Sequence, residues 1–217
     1  AGHSLQEALR NQIFKKYLQD SVLYSISKYS NEFKLENYEN GFIRNRKYSR
    51  KDCFRILNWE EQPLAQNVGG YMFHPNDTNC PIFVNYHKAE GISDTTKYED
   101  GFIDSSTIVY MSKNKRKISS PDVVKFREAI HRKIRLPLLV KKHNAEGDDF
   151  YYLGDVKPKP ESFLQTTIGN KKTSIVKMIF TLDKPVEKSL YDYITEGEEL
   201  EAYSIDEPKI SIAADEG

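Results

Sequence analysis

The densest set of charged side chains lies in the middle of the chain, between Lys113 and Lys142. This stretch contains eleven lysine or arginine residues against two acids, Asp122 and Glu128. Lysine and arginine are the side chains that neutralise phosphate oxygens along a nucleic-acid backbone. Such a stretch is typical either of a surface that binds a polyanion or of an ordinary solvated surface, and charge alone does not separate the two.

The formal net charge of zero hides a segregation of charge along the chain. From Asp192 to Gly217, nine acids stand against one base, Lys209, which gives −8, so the other 191 residues carry +8. A basic body with an acidic end is a pattern of polyanion binders whose tail shields the binding site or docks elsewhere. We expect the acidic tail, residues 196–217, to make no phosphate contacts.

The sequence shows no recognisable arrangement of catalytic or metal-binding side chains. It contains no phosphate-binding loop, no HExxH or GxSxG motif and no Cys-x-x-Cys pair. Four histidines are scattered without ligand spacing, at His74, His87, His131 and His143. Cys53 and Cys80 are too few and too far apart for a metal site or a disulfide scaffold, and we expect two reduced, buried thiols. The sequence therefore predicts no catalytic residues, no metal and no cofactor.

The composition is that of a soluble globular chain. Hydrophobic residues make up 38% and aromatic residues 12%, which is enough for a sizeable core. There is no apolar run of membrane-spanning length and no signal-peptide h-region, so the sequence predicts a cytoplasmic protein without a membrane partner.

Hydrophobic periodicity predicts the elements that must position any site. Residues 5–29 carry apolar groups at close to helical spacing, which indicates one or two amphipathic helices that pack against a neighbour. Ser49 and Ser120 are typical helix N-caps, for helices that end near Trp59 and Lys133. Six segments are rich in strand-forming residues: Tyr71–Phe73, Ile82–Tyr86, Thr107–Tyr110, Leu138–Val140, Phe150–Leu153 and Ile175–Leu182. Few of these strands alternate with helices, so we predict an α+β fold with a curved, largely antiparallel β-sheet or half-barrel and flanking helices.

Several segments between residues 41 and 195 together resemble one known family. They are Tyr48–Asp52, Asn67–Tyr71, Cys80–Lys88, Tyr98–Asp100, Leu136–Val140, Phe150–Asp155 and Pro185–Tyr193. The family is the formerly uncharacterised domain at the C-terminus of bacterial DEAD/DEAH-type helicases, often preceded by a phospholipase-D-type nuclease. Proteins of that architecture include ATP-dependent type IV restriction enzymes that cut DNA carrying 5-methylcytosine or 5-hydroxymethylcytosine. The resemblance implies that the helicase and nuclease lie upstream and that this part recognises the target.

A second resemblance, to SET-and-RING-associated (SRA) domains, rests on fewer residues. It comprises residues 68–73, Gly91, Tyr98-Glu99-Asp100, and Tyr110-Met111-Ser112 followed by a basic cluster. SRA domains flip a methylated cytosine into a pocket, hold it between two tyrosines twelve residues apart and bond its Watson–Crick edge with an aspartate. Tyr98 and Tyr110 have that spacing. Asp100 lies one position before the place of the family's aspartate, and Gly101 occupies that place. The resemblance implies an SRA/PUA-like fold and a modified-base site at Tyr98, Asp100, Tyr110, Met111 and Ser112.

The chemistry of these side chains is suited to that role. Aromatic stacking and hydrogen bonds to the base edge offset the few kcal/mol that flipping costs. A carboxylate accepts from the amino group of cytosine and is repelled by the carbonyl of thymine. Four cations directly follow Tyr110 and could hold phosphates beside the extruded base: Lys113, Lys115, Arg116 and Lys117. Without the resemblance, the simpler interpretation is that Tyr98 and Tyr110 are strand aromatics that fill the core.

We therefore interpret the chain as a helical N-terminal segment (residues 1–40), a domain that reads modified DNA (41–195) and the acidic tail (196–217). It would bind double-stranded DNA containing 5-methylcytosine, with 5-hydroxymethylcytosine as a further candidate, and it would not be an enzyme by itself. Two alternatives remain open: a helicase clamp that binds DNA without reading it, and a protein-interaction or dimerisation module. A catalytic nuclease is a distant third, because the sequence contains no metal-binding cluster.

Overall fold

The structure is a computed structural model that describes residues 2–32, 38–64, 68–87 and 100–196. The described residues group into two compact units. The first unit contains those up to residue 84 together with 133–141 and 145–156, and the second contains the others. The reading domain expected at 41–195 draws residues from both units.

Two helices form the start of the first unit, α1 (Gly2–Ala8) and α2 (Gln12–Glu32). The side-chain oxygen of Asn11 accepts from the backbone N–H groups of Ile13 and Phe14, at 2.9 and 3.2 Å, and so caps α2. These are the helices expected from the apolar spacing of residues 5–29, and their packing against a neighbour stays a prediction. Its apolar residues are exposed in this structure, with Ile13 at 68% and Leu23 at 64%.

After α2, the first unit contains strand pairs and one further short helix. A hairpin joins β1 (Tyr38–Glu39) to β2 (Phe42–Ile43), and β3 (Lys47–Tyr48) precedes helix α3 (Arg50–Ile56). Ser49 caps α3, since its hydroxyl accepts from the N–H of Asp52 at 3.1 Å, as expected. The hairpin is a sheet of its own. In a separate sheet, β4 (Ile82–Asn85), β7 (Pro137–Lys141) and β8 (Phe150–Pro158) are neighbours in that order, and β3 pairs with β8. The core of this unit is aromatic, with rings of Phe42, Phe54, Trp59, Phe83, Phe150 and Tyr152.

The second unit carries the predicted site. Its strands are β5 (Gly101–Asp104), β6 (Thr107–Met111), β9 (Leu164–Ile168) and β10 (Thr173–Leu182). β6 lies between β5 and β10, β9 pairs with the other edge of β10, and all these pairs are antiparallel. Helices α4 (Pro121–Arg127) and α5 (Lys188–Thr195) complete the unit. Phe180 lies at the centre of its core, where its ring contacts those of Tyr110, Phe126 and Phe163.

The predicted α+β class with a largely antiparallel sheet is confirmed, but several boundaries differ. The helix from Pro121 ends at Arg127 instead of near Lys133. The chain continues in turns from Glu128, and Lys133, where these turns end, takes the left-handed conformation (φ 57°). The strand expected at Tyr71–Phe73 is only an isolated bridge between Tyr71 and Ile82. Five strands (β1, β2, β3, β5 and β9) were not predicted. No helix of the described residues combines the length and the hydropathy needed to cross a bilayer.

Candidate functional site

Asp100 lies at the entrance to β5 and is tied to the end of β6. The β5–β6 register pairs Gly101 with Val109 and Phe102 with Ile108, so residue 100 comes beside residues 110 and 111. The carboxylate oxygen Oδ1 of Asp100 accepts from the backbone N–H of Met111 at 2.7 Å. This charge-assisted bond fixes the half-buried carboxylate at the point where the chain leaves the sheet.

Tyr110, Met111 and Ser112 are all buried, but their side chains differ in direction and in contacts. Tyr110 is 3% exposed, and its ring meets Phe180 edge-on with centroids 6.2 Å apart. Side chains alternate along a strand, so Met111 points to the opposite face of the sheet from Tyr110. The hydroxyl of Ser112 accepts from the N–H of Val176 at 2.8 Å and donates to the carbonyl of Lys113 at 3.1 Å. Met111 therefore meets Asp100 through its backbone, and Ser112 holds the end of β6 against β10.

Tyr98, the other tyrosine of the predicted pair, lies outside the described residues, as does Gly91. The structure therefore places Asp100, Tyr110, Met111 and Ser112 together, and it leaves the position of Tyr98 open.

The basic loop, residues 113–118, leaves β6 directly after Ser112 and runs beside the start of β10. The N–H of Arg116 donates to the carbonyl of Ser174 at 3.2 Å, and the hydroxyl of Ser174 donates back to the carbonyl of Arg116 at 2.6 Å. The Nε of Arg116 also donates to Asp122 at 2.7 Å. At Lys115 the backbone is left-handed (φ 61°), and the side chains of Lys115 and Lys117 are exposed. The backbone of the loop is thus held from several sides, while two of its lysines face solvent.

The eleven cations between Lys113 and Lys142 divide between the two units. Several of them have protein partners or are buried: Arg116 pairs with Asp122, Arg132 with Glu128, Arg135 with Asp155 and Lys142 with Glu196, and Lys141 is 4% exposed. Burial lowers the pKa of Lys141, and the nearby Arg50 guanidinium lowers it further. The binding of a polyanion by this whole stretch stays a prediction, and the basic loop is the part of it that directly follows the predicted site in the chain.

An aromatic support holds β5, and sequence reasoning did not identify it. The hydroxyl of Tyr86 accepts from the N–H of Phe102 at 3.2 Å, and the two rings stack with centroids 5.6 Å apart. Tyr191 of α5 packs edge-on against Phe102 from another side. His87 bonds the carbonyl of Ile194 at 3.0 Å, which holds α5 in turn. Tyr86, His87 and Tyr191 lie in segments that carry the family resemblance, but those segments do not predict the contacts, because the meeting of these residues depends on tertiary packing.

The described residues hold no group of three or more His, Cys, Asp or Glu side chains that could bind a metal ion. The chemistry available at this site is acceptance of a hydrogen bond by the Asp100 carboxylate, whose orientation is fixed, beside the cationic and exposed basic loop.

Comparison with known proteins gives a family and several structural similarities. Residues 42–194 match the family described as Domain of unknown function (DUF3427). A comparison with curated proteins gives no match. Among solved structures, the chain is similar to the SRA domain of SUVH5 in complex with hemi-methylated CG DNA (TM-score 0.46, 11% identity, 70% of this chain and 96% of that chain). It is also similar to the DNA modification-dependent restriction endonuclease AspBHI (TM-score 0.40, 13% identity, 60% and 69%). A third similarity is to Arabidopsis thaliana SUVH6 in complex with SAM (TM-score 0.46, 13% identity, 81% and 34%).

Proposed function

The chain belongs to the family described as Domain of unknown function (DUF3427), and we propose that its residues 41–195 form a DNA-reading domain that recognises a methylated cytosine flipped out of the duplex. The membership expected from the sequence is confirmed. The domain's role as the target-recognition part of a modification-dependent restriction enzyme, with helicase and nuclease domains upstream in a cytoplasmic protein, is part of the proposal.

One observation carries the proposal: the hydrogen bond between Asp100 and the backbone N–H of Met111. It places a hydrogen-bond acceptor of fixed orientation at the end of β6, and the basic loop starts two residues further on. A reader of a flipped base needs both groups close together, since the extruded nucleotide stays attached to its own phosphates.

The proposal assigns a role to each site residue. Asp100 accepts from the amino group of the cytosine, and its negative charge disfavours the carbonyl of thymine. We assign stacking on the two faces of the base to Tyr98 and Tyr110. Because Tyr110 is 3% exposed and its ring contacts Phe180, this ring must turn out of its core contact to meet the base. Met111 acts through the N–H that orients Asp100, and Ser112 through its bond to Val176.

Selectivity for the methyl group rests on a small apolar contact. Enclosing one methyl group discriminates 5-methylcytosine from cytosine by about 1–2 kcal/mol, which is roughly five- to thirtyfold in affinity. We therefore expect a preference for the modified base rather than absolute exclusion of plain cytosine.

The phosphate contacts come from the basic loop. Lys113, Lys115 and Lys117 supply the charge, and Arg116 adds charge while its pairing with Asp122 holds the loop in shape. These contacts do not depend on base identity, so they supply the part of the affinity that every duplex shares.

A second candidate function, a protein-interaction module, is favoured by α2. Large apolar side chains are exposed along this helix, among them Ile13, Tyr17, Leu23, Tyr24 and Ile26. Exposed apolar surface of this extent is typical of a protein contact.

A binding panel tests the proposal. Matched duplexes carry C, 5-methylcytosine, 5-hydroxymethylcytosine or 6-methyladenine at one central position, and affinity is measured for the full chain at fixed salt. We expect the 5-methylcytosine duplex to bind most tightly or equally with 5-hydroxymethylcytosine. Equal affinity for all four duplexes would favour the helicase clamp, and salt-insensitive self-association without DNA binding would favour the interaction module.

A further inference from the structure

We propose that the β9–β10 hairpin, residues 164–177, is a second DNA-contacting element that binds phosphates of the duplex through Lys171 and Lys172 at its tip. This inference rests on the proposed function, because it assigns a further surface to the same DNA. The sequence pattern gave no indication of it, since the hairpin lies outside the basic stretch from Lys113 to Lys142.

The basic loop and the hairpin form one surface. Besides the two bonds between Arg116 and Ser174, the N–H of Ile118 donates to the side-chain oxygen of Gln165 on β9 at 3.3 Å. Ser174 is two residues from Lys172, so the loop is fastened to the hairpin next to its tip. Residues 112–118 and 164–177 together carry seven lysines or arginines and no acid: Lys113, Lys115, Arg116, Lys117, Lys171, Lys172 and Lys177.

The tip itself presents charge to solvent. Residues 169–172 form a tight turn closed by a bond from the N–H of Lys172 to the carbonyl of Gly169 at 2.9 Å. All four turn residues are exposed. Lys172 has the left-handed backbone (φ 47°) that glycine or asparagine usually takes, so a long cation stands where turn chemistry favours a small residue.

Protection of an edge strand does not explain these lysines. Proteins often place lysines along an exposed edge strand to prevent pairing with other chains. β9 is such a strand, but its five residues, Leu164 to Ile168, contain no charge. The charge is concentrated at the turn, where no strand pairing needs to be prevented.

The test compares three double variants of the full chain. Lys171→Gln with Lys172→Gln removes the charge of the tip, and Lys115→Gln with Lys117→Gln removes that of the basic loop. The matched control, Lys159→Gln with Lys184→Gln, makes the same charge change near the other end of β10, where the N–H of Lys159 bonds the carbonyl of Ile179. Affinity for methylated and unmethylated duplexes is measured from low to moderate salt, with thermal unfolding as a check of the fold.

We expect the tip variant to reduce the slope of log affinity against log salt by about two, one for each lost phosphate contact. Both duplexes should weaken by the same factor, so the preference for 5-methylcytosine should persist, and the control should retain the wild-type slope. The same loss of slope in a protein without any modification preference would support the hairpin and refute the proposed function.

A tip variant with the control's slope, alongside a basic-loop variant that has lost slope, would overturn the hairpin inference and leave the proposed function standing. A wild-type chain that binds no duplex at low salt would overturn both.

Discussion

Substitution of Asp100 by asparagine or alanine separates the observed task of this carboxylate, the bond to Met111, from its proposed task, the reading of the base edge. One oxygen, Oδ1, accepts from the N–H of Met111 at 2.7 Å, and the proposed task of the group is to accept from the cytosine amino group. Asparagine retains one acceptor oxygen and replaces the other by an amino group. Alanine removes both.

The effect on stability follows from the bond to Met111. Asp100→Ala leaves a partly buried N–H without its charged acceptor, which costs about 1–3 kcal/mol of unfolding free energy. Asp100→Asn keeps a neutral bond when its oxygen faces Met111, so we expect a loss of about 1 kcal/mol or less. Chemical denaturation of both variants measures this difference.

For Asp100→Asn, we expect a larger effect on base reading than on stability. When the amide oxygen of the substituted asparagine is held by Met111, its amino group faces the base edge, and a donor then meets the donor of cytosine. We expect Asp100→Asn to lose about 1–3 kcal/mol of discrimination, roughly five- to 150-fold in relative affinity. Anisotropy titrations should compare duplexes carrying 5-methylcytosine or thymine opposite the same guanine, because both bases carry the methyl group and differ at position 4.

Two results would refute this reasoning. A mismatched thymine opens more easily than a paired 5-methylcytosine, but this contribution is the same for wild type and variant and cancels when the two proteins are compared. If a folded Asp100→Asn protein has the wild-type ratio of affinities for the 5-methylcytosine and thymine duplexes, Asp100 is excluded as the reader of the base edge. An Asp100→Ala protein as stable as wild type would show that the bond to Met111 does not anchor the site.

The remaining predictions concern packing, the tail and the thiols. Tyr110→Ala should lose about 3 kcal/mol of stability with its core contact to Phe180, together with about 1–3 kcal/mol of specific binding; Tyr98→Ala is the matched variant, and unchanged 5-methylcytosine preference in both would exclude the two-tyrosine cage. Tyr86→Phe keeps the ring but orphans the N–H of Phe102, so denaturation should show a loss of about 1–3 kcal/mol, and wild-type stability would count against the aromatic support of β5. Truncation after Glu196, which retains the buried Ile194, should leave DNA binding intact or tighter, whereas a folded, clearly weaker protein would contradict the expected role of the tail. Burial raises the pKa of the Cys53 thiol, and both cysteines are fully buried, so alkylation should require denaturant; rapid labelling of the native protein would disprove this.

Local signals in the sequence were sufficient for several elements. Ser49 caps α3 as expected, because its hydroxyl needs only the N–H three residues ahead. β6 and β10 were recognised from runs of β-branched and aromatic residues, and their observed bounds differ by one or two residues from the prediction. The short strands β1, β2 and β3 were missed, since two residues carry no periodicity and such strands form only when a partner strand is present.

For the candidate site, the sequence determined the types and spacing of the residues: a carboxylate at position 100, tyrosines at 98 and 110, and a basic run after Ser112. The tertiary structure decided how they can be used. Pairing of β5 with β6 brings Asp100 to the N–H of Met111, and strand alternation turns the side chains of Tyr110 and Met111 to opposite faces. Arg132 and Arg135 form ion pairs with Glu128 and Asp155, while the bonds of Arg116 to Ser174 hold the basic loop beside a hairpin that is distant in sequence. Composition and spacing are properties of the chain alone, whereas the exposure and pairing of a charge depend on residues that folding brings beside it from far along the chain.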